Sequence, residues 1–385
     1  MQITCVHQGY EMYGSDRSFA ESVAALRAAF PAADIEVVLP RSGPIVQLLE
    51  PHASRLTFEP LWVLRRQGLF GLVTKGLVQL APALFRAFRR LRRSDLVYIN
   101  TSVVFDYALA ARFFTGKTLL HIHEIPEGFA RHILRFLALW SGAEIIFNSN
   151  ATRDAFNLPA GRKTHVVYNG IADPGAPEAL SYDGSRRLKV LMLGRINRIK
   201  GQEVLLQALE TMPEALRRQI EVRIVGSAFE SEEQERALPA LVASMQLSDT
   251  VTVEPFAPDP TSLYRWADIV AVPSRRPESL GRVAIEAMAF GRPPVVSAIG
   301  GLTEVVEDGR TGWLVPPGDP AALAMRLASI IEEPAAWRSF PAAARARYQA
   351  IFSETAAAEA ISAIAGAKLK PSAPAAIARM SHARS

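Results

Sequence analysis

The feature that most constrains the fold is an alternation of short apolar runs with segments of helical periodicity, which occurs in both halves of the chain. Parallel strands need a long crossover connection, so such an alternation is typical of parallel βαβ units. In the first half the predicted strands are Ile3–Val6, Asp34–Leu39, Leu96–Asn100, Thr118–Ile122, Glu144–Asn148 and His165–Val167. In the second half they are Leu188–Leu193, Val222–Val225, Thr250–Val253, Asp268–Val272 and Pro294–Ser297.

The polar, turn-rich segment ADPGAPEALSYDGSRR separates the two series. A chain of 385 residues is long enough for two domains, each with its own core. We therefore predict an N-terminal domain over 1–171, a linker over 172–187 and a C-terminal domain over 188–352. The last residues, 370–385, are rich in Ala, Pro, Ser and basic residues, which predicts a disordered tail.

Composition narrows the class of protein. The single cysteine, Cys5, lies in the first apolar run and is expected to be a buried thiol, which fits a reducing cytoplasm. The N-terminus lacks the basic and long apolar regions of a signal peptide, and no apolar stretch is long enough to span a bilayer. We therefore expect a cytoplasmic protein.

Two carboxylates, Glu278 and Glu286, flank the turn Ser279-Leu280-Gly281, after which a helix is predicted. The first N–H groups of a helix carry a partial positive charge, and a glycine lets a ligand approach them. Such a site offers donors for a phosphate and carboxylates for hydroxyl groups, as a nucleotide sugar requires. Both glutamates could equally be solvated charges, since the spacing alone is a weak motif.

Cations in a strand-to-helix loop, Arg195 and Lys200, follow the predicted strand that ends at Gly194. In a doubly wound sheet, ligands bind at such carboxyl ends of strands. Arginine and lysine can neutralise a diphosphate, although loop cations are often only surface charges. The sequence contains no D-x-D triplet, no H-E-x-x-H and no Walker-type loop, so we expect neither a metal nor another cofactor.

From Arg187 to Pro320 the chain resembles a family 4 retaining glycosyltransferase of the GT-B architecture (glycosyl transferases group 1). The matching motifs are G-R-x4-K-G from Gly194, E-x7-E from Glu278, EAMAFGRPPVV from Glu286 and GGLTEVVEDGRTGWLVPPGD from Gly300. The resemblance implies an α/β fold of two Rossmann-like doubly wound domains that face a central cleft. It also implies a C-terminal helix, 353–369, that crosses back to the N-terminal domain.

The resemblance also implies roles for these residues. Arg195 and Lys200 would hold the donor diphosphate, Glu278 would contact the transferred sugar, and Glu286 would bind the ribose. Backbone N–H groups of Ser279, Leu280 and Gly281 would meet the sugar and the distal phosphate. Retention is thought to use front-face attack, in which the departing phosphate helps to deprotonate the acceptor, without metal or protein nucleophile.

In the N-terminal half the resemblance points to Gly14, near the donor phosphate, and to His123, which would face the sugar. Glycine at position 14 could also be only a turn, and a lone histidine is often structural. The chain departs from the family pattern at Tyr13, where a glycine is usual. It also departs at Arg282, where an aliphatic residue is common, and this change bears on which sugar is accepted.

A basic segment, 60–94, contains eight Lys or Arg residues and no acid. Within it Leu77, Leu80, Leu84, Phe88 and Leu91 recur at helical spacing, with arginines between them. This pattern fits either a core-facing helix with a solvated basic face or peripheral contact with an anionic membrane at the inner face. No recognised nucleic-acid-binding module accompanies the charge, so nucleic acid is not expected as a partner.

Three functions remain open from the sequence. The first is transfer from a nucleotide-diphosphate sugar to a saccharide or lipid-linked acceptor, in surface polysaccharide or glycolipid synthesis. The second is a sugar-nucleotide hydrolase or epimerase on the same fold. The third is a non-catalytic nucleotide-sugar-binding protein, which loss of Arg195, Lys200 or either glutamate would favour.

Overall fold

A computed structural model describes residues 1–12, 14–63, 75–178, 182–228 and 232–369. The predicted tail, 370–385, therefore lies outside the described residues. Among the residues that are described, no helix has the length and apolar character needed to cross a membrane.

The N-terminal half forms a seven-stranded parallel sheet in the order β3-β2-β1-β4-β5-β6-β7. Its strands β1 to β7 are Gln2–His7, Asp34–Leu39, Arg55–Phe58, Leu96–Asn100, Thr118–Ile122, Glu144–Phe147 and Thr164–Val166. The described helices that follow these strands are Gly14–Ala29, Val46–Leu49, Lys75–Arg93, Phe105–Ala111, Gly128–Ser141 and Asn150–Phe156, with a 3-10 turn at Thr115–Lys117.

The C-terminal half forms a six-stranded parallel sheet in the order β10-β9-β8-β11-β12-β13. Its strands β8 to β13 are Leu188–Leu193, Ile220–Val225, Val251–Glu254, Ile269–Val272, Pro294–Ser297 and Trp313–Val315. The described helices are Gln202–Thr211, Glu214–Arg217, Glu232–Ser244, Thr261–Trp266, Arg282–Ala289, Leu302–Val305, Pro320–Glu332, Phe340–Arg347 and Glu354–Leu369, with a 3-10 turn at Pro334–Trp337 and a π turn at Tyr348–Phe352.

These two sheets confirm the predicted α/β fold class, and most predicted strands agree with the structure to within two residues. Two strands were missed, Arg55–Phe58 and Trp313–Val315, which lie at the edges of their sheets. The prediction for β7 was one residue too late. Cys5 is buried, as expected.

The chain passes between the two halves twice at one place. The backbone N–H of Ile171 donates to the Phe352 carbonyl at 2.9 Å, and the Glu354 N–H donates to the Ile171 carbonyl at 3.2 Å. The helix Glu354–Leu369 then buries Ile361 and Ala365 in the same core cluster as β1 and the helix Gly14–Ala29. The final helix therefore packs against the N-terminal half of the chain.

The basic segment contains the helix Lys75–Arg93. The side of this helix that faces the core differs from the apolar stripe predicted from the sequence. Its deeply buried side is formed by Ala83, Ala87 and Leu91, whereas Phe88 is 42% exposed. Arg90 points inward and donates hydrogen bonds to the carboxylates of Glu36 and Glu59. The expectation of one apolar stripe including Phe88 is therefore wrong, because small alanines allow closer packing on the sheet. The part of the segment at 64–74 and the side chain of Leu77 lie outside the description.

Candidate active site

Two glycines clamp the turn that contains the first predicted carboxylate. The Gly301 N–H donates to the Glu278 carbonyl at 2.8 Å. A Cβ atom on Gly300 would lie 2.5 Å from that carbonyl oxygen, and one on Gly301 would lie 2.5 Å from Cα of Leu280. Such distances are too short for any side chain, so the Gly-Gly pair fixes the turn by close backbone contact.

The predicted helix begins directly after this turn, at Arg282. Gly281 has φ of 97°, a left-handed conformation that only glycine adopts without strain. Leu280 is buried, and Ser279 contributes its carbonyl to a 3.5 Å contact with the Thr152 hydroxyl of the N-terminal half. The helix N-terminus therefore lies at the boundary between the two sheets.

The loop after β8 brings Lys200 to Glu278. The Lys200 ammonium lies 2.9 Å from a Glu278 carboxylate oxygen, which also accepts a hydrogen bond from the Ser274 hydroxyl. The side chain of Asn197 shapes this loop, since its amide oxygen accepts from the Lys200 N–H at 3.1 Å. A cation and a carboxylate predicted from separate motifs are therefore in direct contact.

The second carboxylate, Glu286, is held by two neighbours. Its oxygens accept hydrogen bonds from the Tyr264 hydroxyl at 2.7 Å and from Nε of Arg282 at 2.8 Å. Burial raises the pKa of Tyr264 well above its usual range, and the Glu286 carboxylate raises it further. The tyrosine therefore stays protonated and acts as a hydrogen-bond donor to Glu286.

A cavity of about 240 Å³ lies between the two halves of the chain, and four of the predicted site residues line it: Gly14, Gly194, Arg195 and Glu286. Lys200, Glu278 and the turn Ser279-Leu280-Gly281 are not among its lining residues. Its lining includes Gly14, Arg17, Gly194, Arg195, Arg282, Glu286, Tyr264, Phe256, Pro258 and Pro260. The structure thus brings Gly14 of the N-terminal half to the same cavity as Arg195 and Glu286 of the C-terminal half.

Arg282 also connects the two halves of the chain. One of its terminal nitrogens lies 3.5 Å from the carboxylate of Glu21, on the helix that begins at Gly14. Burial raises the pKa of Glu21 to about 7, although Arg282 opposes part of this shift. The residue that departs from the family pattern therefore lies between the two glutamates Glu21 and Glu286.

His123 has a different environment. It follows β5, is 7% exposed, and its Nε2 lies 2.8 Å from the Asn100 side-chain oxygen. Burial lowers its pKa to about 3, so its imidazole is neutral at physiological pH. His123 is not among the described residues that line the 240 Å³ cavity.

Sequence reasoning missed several partners of the predicted residues, above all Tyr264, Ser274 and Asn100. Tyr264 and Ser274 belong to no spacing motif that could have identified them. Asn100 carried a usable signal, because it is a polar residue at the carboxyl end of an otherwise apolar strand. Across the described residues, no group of three or more His, Cys, Asp or Glu side chains could hold a metal ion.

Comparison with known proteins identifies the C-terminal half. Residues 184–350 match the family model described as glycosyl transferases group 1. This part of the chain is therefore similar to the group 1 glycosyltransferases. The motifs quoted above contain Lys200 and Glu278, which are in contact, and the start of the helix that follows Gly281.

Curated relatives match only part of the chain. A D-inositol 3-phosphate glycosyltransferase of Thermomonospora curvata is 38% identical over 174 residues, which cover 43% of this chain and 40% of the relative. The enzyme of the same name from Corynebacterium urealyticum is 32% identical over 222 residues, or 56% and 48% of the two chains. The matched regions thus span less than half the length of these relatives.

Solved structures match nearly the whole chain. Anabaena Alr3699/HepE in complex with UDP-glucose has a TM-score of 0.76 and 27% identity, and the match covers 95% of this chain and 100% of that one. WaaG, a glycosyltransferase involved in lipopolysaccharide biosynthesis, has a TM-score of 0.67 at 15% identity, which shows a shared fold. The chain therefore has the GT-B fold that its group 1 motifs predicted.

Proposed function

We propose that this protein is a retaining glycosyltransferase that moves a sugar from a nucleotide-diphosphate sugar to a saccharide or lipid-linked acceptor. The observation that carries the proposal is the cavity between the two sheets. It joins a glycine-bounded loop of the N-terminal half to Arg195 and Glu286 of the group 1 domain. A diphosphate needs cations and N–H donors, and a ribose needs a hydroxyl acceptor, so the lining has the required chemistry.

Each charged group has a specific part in this proposal. Arg195 and Lys200 neutralise the diphosphate and stabilise it as it leaves, because negative charge develops there in the transition state. Lys200 exchanges its present contact with Glu278 for a phosphate oxygen when the donor binds. Glu278 then accepts hydrogen bonds from the transferred sugar, while Glu286 binds the ribose.

The acceptor hydroxyl attacks from the same face as the leaving phosphate, which takes up the proton, so that the sugar keeps its anomeric configuration. This proposal uses fixed cations instead of a divalent metal, since Arg195 and Lys200 supply the positive charge. The solved complexes of Anabaena Alr3699/HepE with UDP and with UDP-glucose support a uridine diphosphate sugar as donor. The acceptor belongs by this proposal to surface polysaccharide or glycolipid synthesis.

The donor class is tested by calorimetric titration of UDP, GDP, ADP and their glucose conjugates, each with EDTA and with Mg²⁺. We expect UDP and UDP-glucose to bind in the micromolar range, with the same affinity in EDTA, because the cations replace the metal. Binding that requires Mg²⁺ would contradict the metal-independent site. If no member of the panel binds to the folded protein, the donor-site assignment fails. Binding followed only by hydrolysis would support the hydrolase alternative.

We also propose that the protein works at the inner face of the cytoplasmic membrane, docked through an aromatic surface on the N-terminal half. This aromatic surface consists of five large apolar side chains that are 42% to 70% exposed: Phe85, Phe88, Phe113, Phe136 and Trp140. Three helices carry or precede them, and ring contacts connect them in pairs: Phe88 with Phe113 at 6.0 Å and Phe136 with Trp140 at 6.0 Å.

Arginine side chains are interleaved with the aromatic surface. The Arg112 guanidinium lies over the Trp140 ring, 5.8 Å from its centroid. Arg89, Arg92 and Arg93 are exposed on the helix that carries Phe88. An anionic bilayer attracts each basic residue near its surface by about 1 kcal/mol, and its interface accepts aromatic rings. The combination therefore fits an anionic lipid surface.

Flotation with vesicles tests this docking. We expect the protein to float with vesicles of phosphatidylglycerol and phosphatidylcholine, and to remain unbound with phosphatidylcholine alone or in 1 M salt, a concentration that screens charges beyond about 3 Å. The double substitution Phe113→Ser with Trp140→Ser should reduce binding about tenfold or more. Met325→Ser, an exposed apolar residue of the other half, is the matched control. Equal binding of both variants would refute the aromatic surface as the docking site.

A further inference from the structure

A second cavity, which we call the hinge cavity, lies where the chain passes between its two halves. Its volume is about 700 Å³, and residues of the helix Gly14–Ala29, of the helix Glu354–Leu369 and of the segment 168–170 line it. A Cβ atom on Gly170 would lie 2.8 Å from Cα of Glu354, so glycine lets this segment touch the last helix directly. The hinge cavity shares no described lining residue with the 240 Å³ cavity, so the two are separate.

The hinge cavity combines apolar walls with three carboxylates. Glu21, Glu354 and Glu359 line it, and no lysine or arginine is among its described lining residues. Glu354 and Glu359 are exposed, whereas the side chain of Glu21 is only 19% exposed. Six alanines on the two helices contribute to the walls: Ala24, Ala25, Ala28, Ala29, Ala357 and Ala358. The hinge cavity therefore suits a ligand that has methylene groups and more than one positive charge.

Two buried polar atoms in residues that line the hinge cavity have no hydrogen-bond partner among the described residues. They are Oε2 of Glu21 and Nε2 of His121. His121 is 1% exposed, and burial lowers its pKa well below its ordinary value, so its imidazole is neutral. A buried polar atom without a partner is unfavourable, so both atoms favour a ligand that completes their hydrogen bonds.

Hydrogen bonds on the other side of the His121 ring make Nε2 an acceptor. The Ser22 hydroxyl donates to the Ser18 carbonyl at 2.9 Å, and the Tyr98 hydroxyl donates to Oγ of Ser22 at 3.0 Å. Each hydroxyl has one proton, so the Tyr98 oxygen must accept from Nδ1 of His121, which it also contacts. Neutral His121 then carries its proton on Nδ1, and Nε2 presents a lone pair. Ser18 and Ser22 also line the hinge cavity, beside Glu21 on the same helix.

We propose that the hinge cavity is a binding site for a linear aliphatic diamine or polyamine. The inner ammonium group donates hydrogen bonds to Oε2 of Glu21 and Nε2 of His121, and the methylene chain lies along the alanines. The outer ammonium group lies near the exposed carboxylates of Glu354 and Glu359. An ammonium group has only donors, so it matches a site in which these atoms are all acceptors. A metal ion fits less well, since no described group of three or more His, Cys, Asp or Glu side chains could hold one.

Glu21 links the hinge cavity to the 240 Å³ cavity. Its Oε1 lies 3.5 Å from a terminal nitrogen of Arg282, which lines the 240 Å³ cavity and donates to Glu286. Burial raises the pKa of Glu21 to about 7, Glu354 raises it further, and Arg282 and Arg17 oppose the shift. A bound ammonium group keeps Glu21 ionised and so strengthens its attraction for Arg282. The diamine therefore favours the arrangement in which Arg282 and Glu286 line the donor site, a consequence that rests on the proposed function.

Calorimetric titration of the full chain with cadaverine tests the site. The matched neutral probe is 1,5-pentanediol, which has the same chain length and hydrogen-bond donors but no charge. At pH 8 we expect cadaverine to bind saturably, with an affinity about tenfold or more above that of the diol, because its hydrogen bonds to a carboxylate are charge-assisted. Equal binding of the two probes, or no saturable binding of cadaverine to the folded protein, would overturn the proposal.

The pH dependence in the unaltered protein tests the role of Glu21. Only ionised Glu21 attracts the ammonium group, so the affinity for cadaverine should fall as the pH falls through about 7. Between pH 8 and pH 6 the ionised fraction of Glu21 falls about tenfold, and the affinity should fall by a similar factor. Cadaverine keeps both charges, since alkylamines have pKa values of about 10. A pH-independent affinity would contradict this role.

Two isosteric variants locate the binding site. Glu21→Gln should weaken cadaverine binding at pH 8 by about tenfold or more, because the amide lacks the charge. Glu332→Gln removes an exposed carboxylate from the other half of the chain and should leave the affinity unchanged. His52 also lines the hinge cavity, and its protonation would repel the ligand at pH 6. The pH dependence should therefore be mostly lost in Glu21→Gln. If this variant keeps the wild-type affinity, or the full pH dependence, Glu21 does not hold the ammonium group.

Titration of UDP with and without saturating cadaverine at pH 7 tests the link between the two cavities. We expect cadaverine to tighten UDP binding by about threefold or more, and UDP to tighten cadaverine binding by the same factor. Equal affinities with and without cadaverine would refute the link through Arg282. If UDP does not bind at all, the proposed function fails, whereas the cadaverine titrations still decide whether the hinge cavity binds diamines.

Discussion

Replacement of Lys200 by methionine is expected to lower sugar transfer by about a thousandfold or more in kcat/KM, because a fixed charge on the leaving diphosphate acts mainly in the transition state. Methionine keeps most of the aliphatic length of lysine. The Lys200 side chain is 26% exposed, and Glu278 retains its hydrogen bond from Ser274. The free energy of unfolding should therefore change by no more than about 1 kcal/mol. Transfer rates and denaturant unfolding of the same preparation measure both quantities.

Arg198→Met is the matched control for this prediction. Arg198 lies in the same loop as Lys200, is exposed, and loses the same charge on substitution. Its transfer rate should stay within a few-fold of the wild type. Glu278→Ala should resemble Lys200→Met in activity, since the donor sugar then lacks its acceptor. If Lys200→Met kept more than a tenth of wild-type activity, the assignment of the diphosphate site would be wrong.

Substitution of Glu304 by alanine is expected to destabilise the protein by about 3 kcal/mol, because one carboxylate accepts four hydrogen bonds that would lose their acceptor. Glu304 belongs to the group 1 domain, whereas its donors belong to the N-terminal half. They are the backbone N–H groups of Asn150 and Ala151 at 2.8 and 2.6 Å, the Asn150 side chain at 2.7 Å and the Tyr168 hydroxyl at 3.0 Å. The carboxylate thus also lies at the N-terminus of the helix Asn150–Phe156, where negative charge is favourable.

Equilibrium unfolding in urea measures this effect, and Glu332→Ala provides its control. Glu332 is an exposed glutamate on another helix of the same domain, and its loss should change the free energy of unfolding by less than about 0.5 kcal/mol. Glu304→Gln should be intermediate, since the amide keeps an acceptor oxygen but loses the charge. Equal stability of Glu304→Ala and Glu332→Ala would show that the contact between the halves adds nothing measurable to stability.

The strands of this protein were predictable because most are buried on both faces, so their sequences are continuous apolar runs bounded by polar residues. The runs Asp34–Leu39, Leu96–Asn100 and Leu188–Leu193 agree with the structure at both ends. The missed strand Arg55–Phe58 is partly exposed at a sheet edge, so it lacks such a run. Trp313–Val315 has three residues, which is too short for a pattern to emerge.

The residues of the candidate site also fall into those that the sequence revealed and those that only the structure revealed. Glycines and charges were visible where a strand ends and a helix begins, because local geometry demands particular residue types there. The partners were not visible: Tyr264 reaches Glu286 across a strand and a turn, and Ser274 meets Glu278 only because the loop folds back. Arg282 was noticed as a departure from the family pattern, but its contact with Glu21 depends on how the two halves pack.

By itself the sequence determined the two α/β series, the group 1 motifs and the residue types of the candidate site, since periodicity and turn chemistry act between near neighbours in the chain. Only the tertiary structure decided which of these groups meet. The contact between Asn100 and His123 exists because β4 and β5 are adjacent in the sheet, although the two residues are 23 positions apart in sequence. Glu304 reaches Asn150 across 154 residues for the same reason. Sheet order and domain packing are set by the burial of whole faces, which no local pattern encodes.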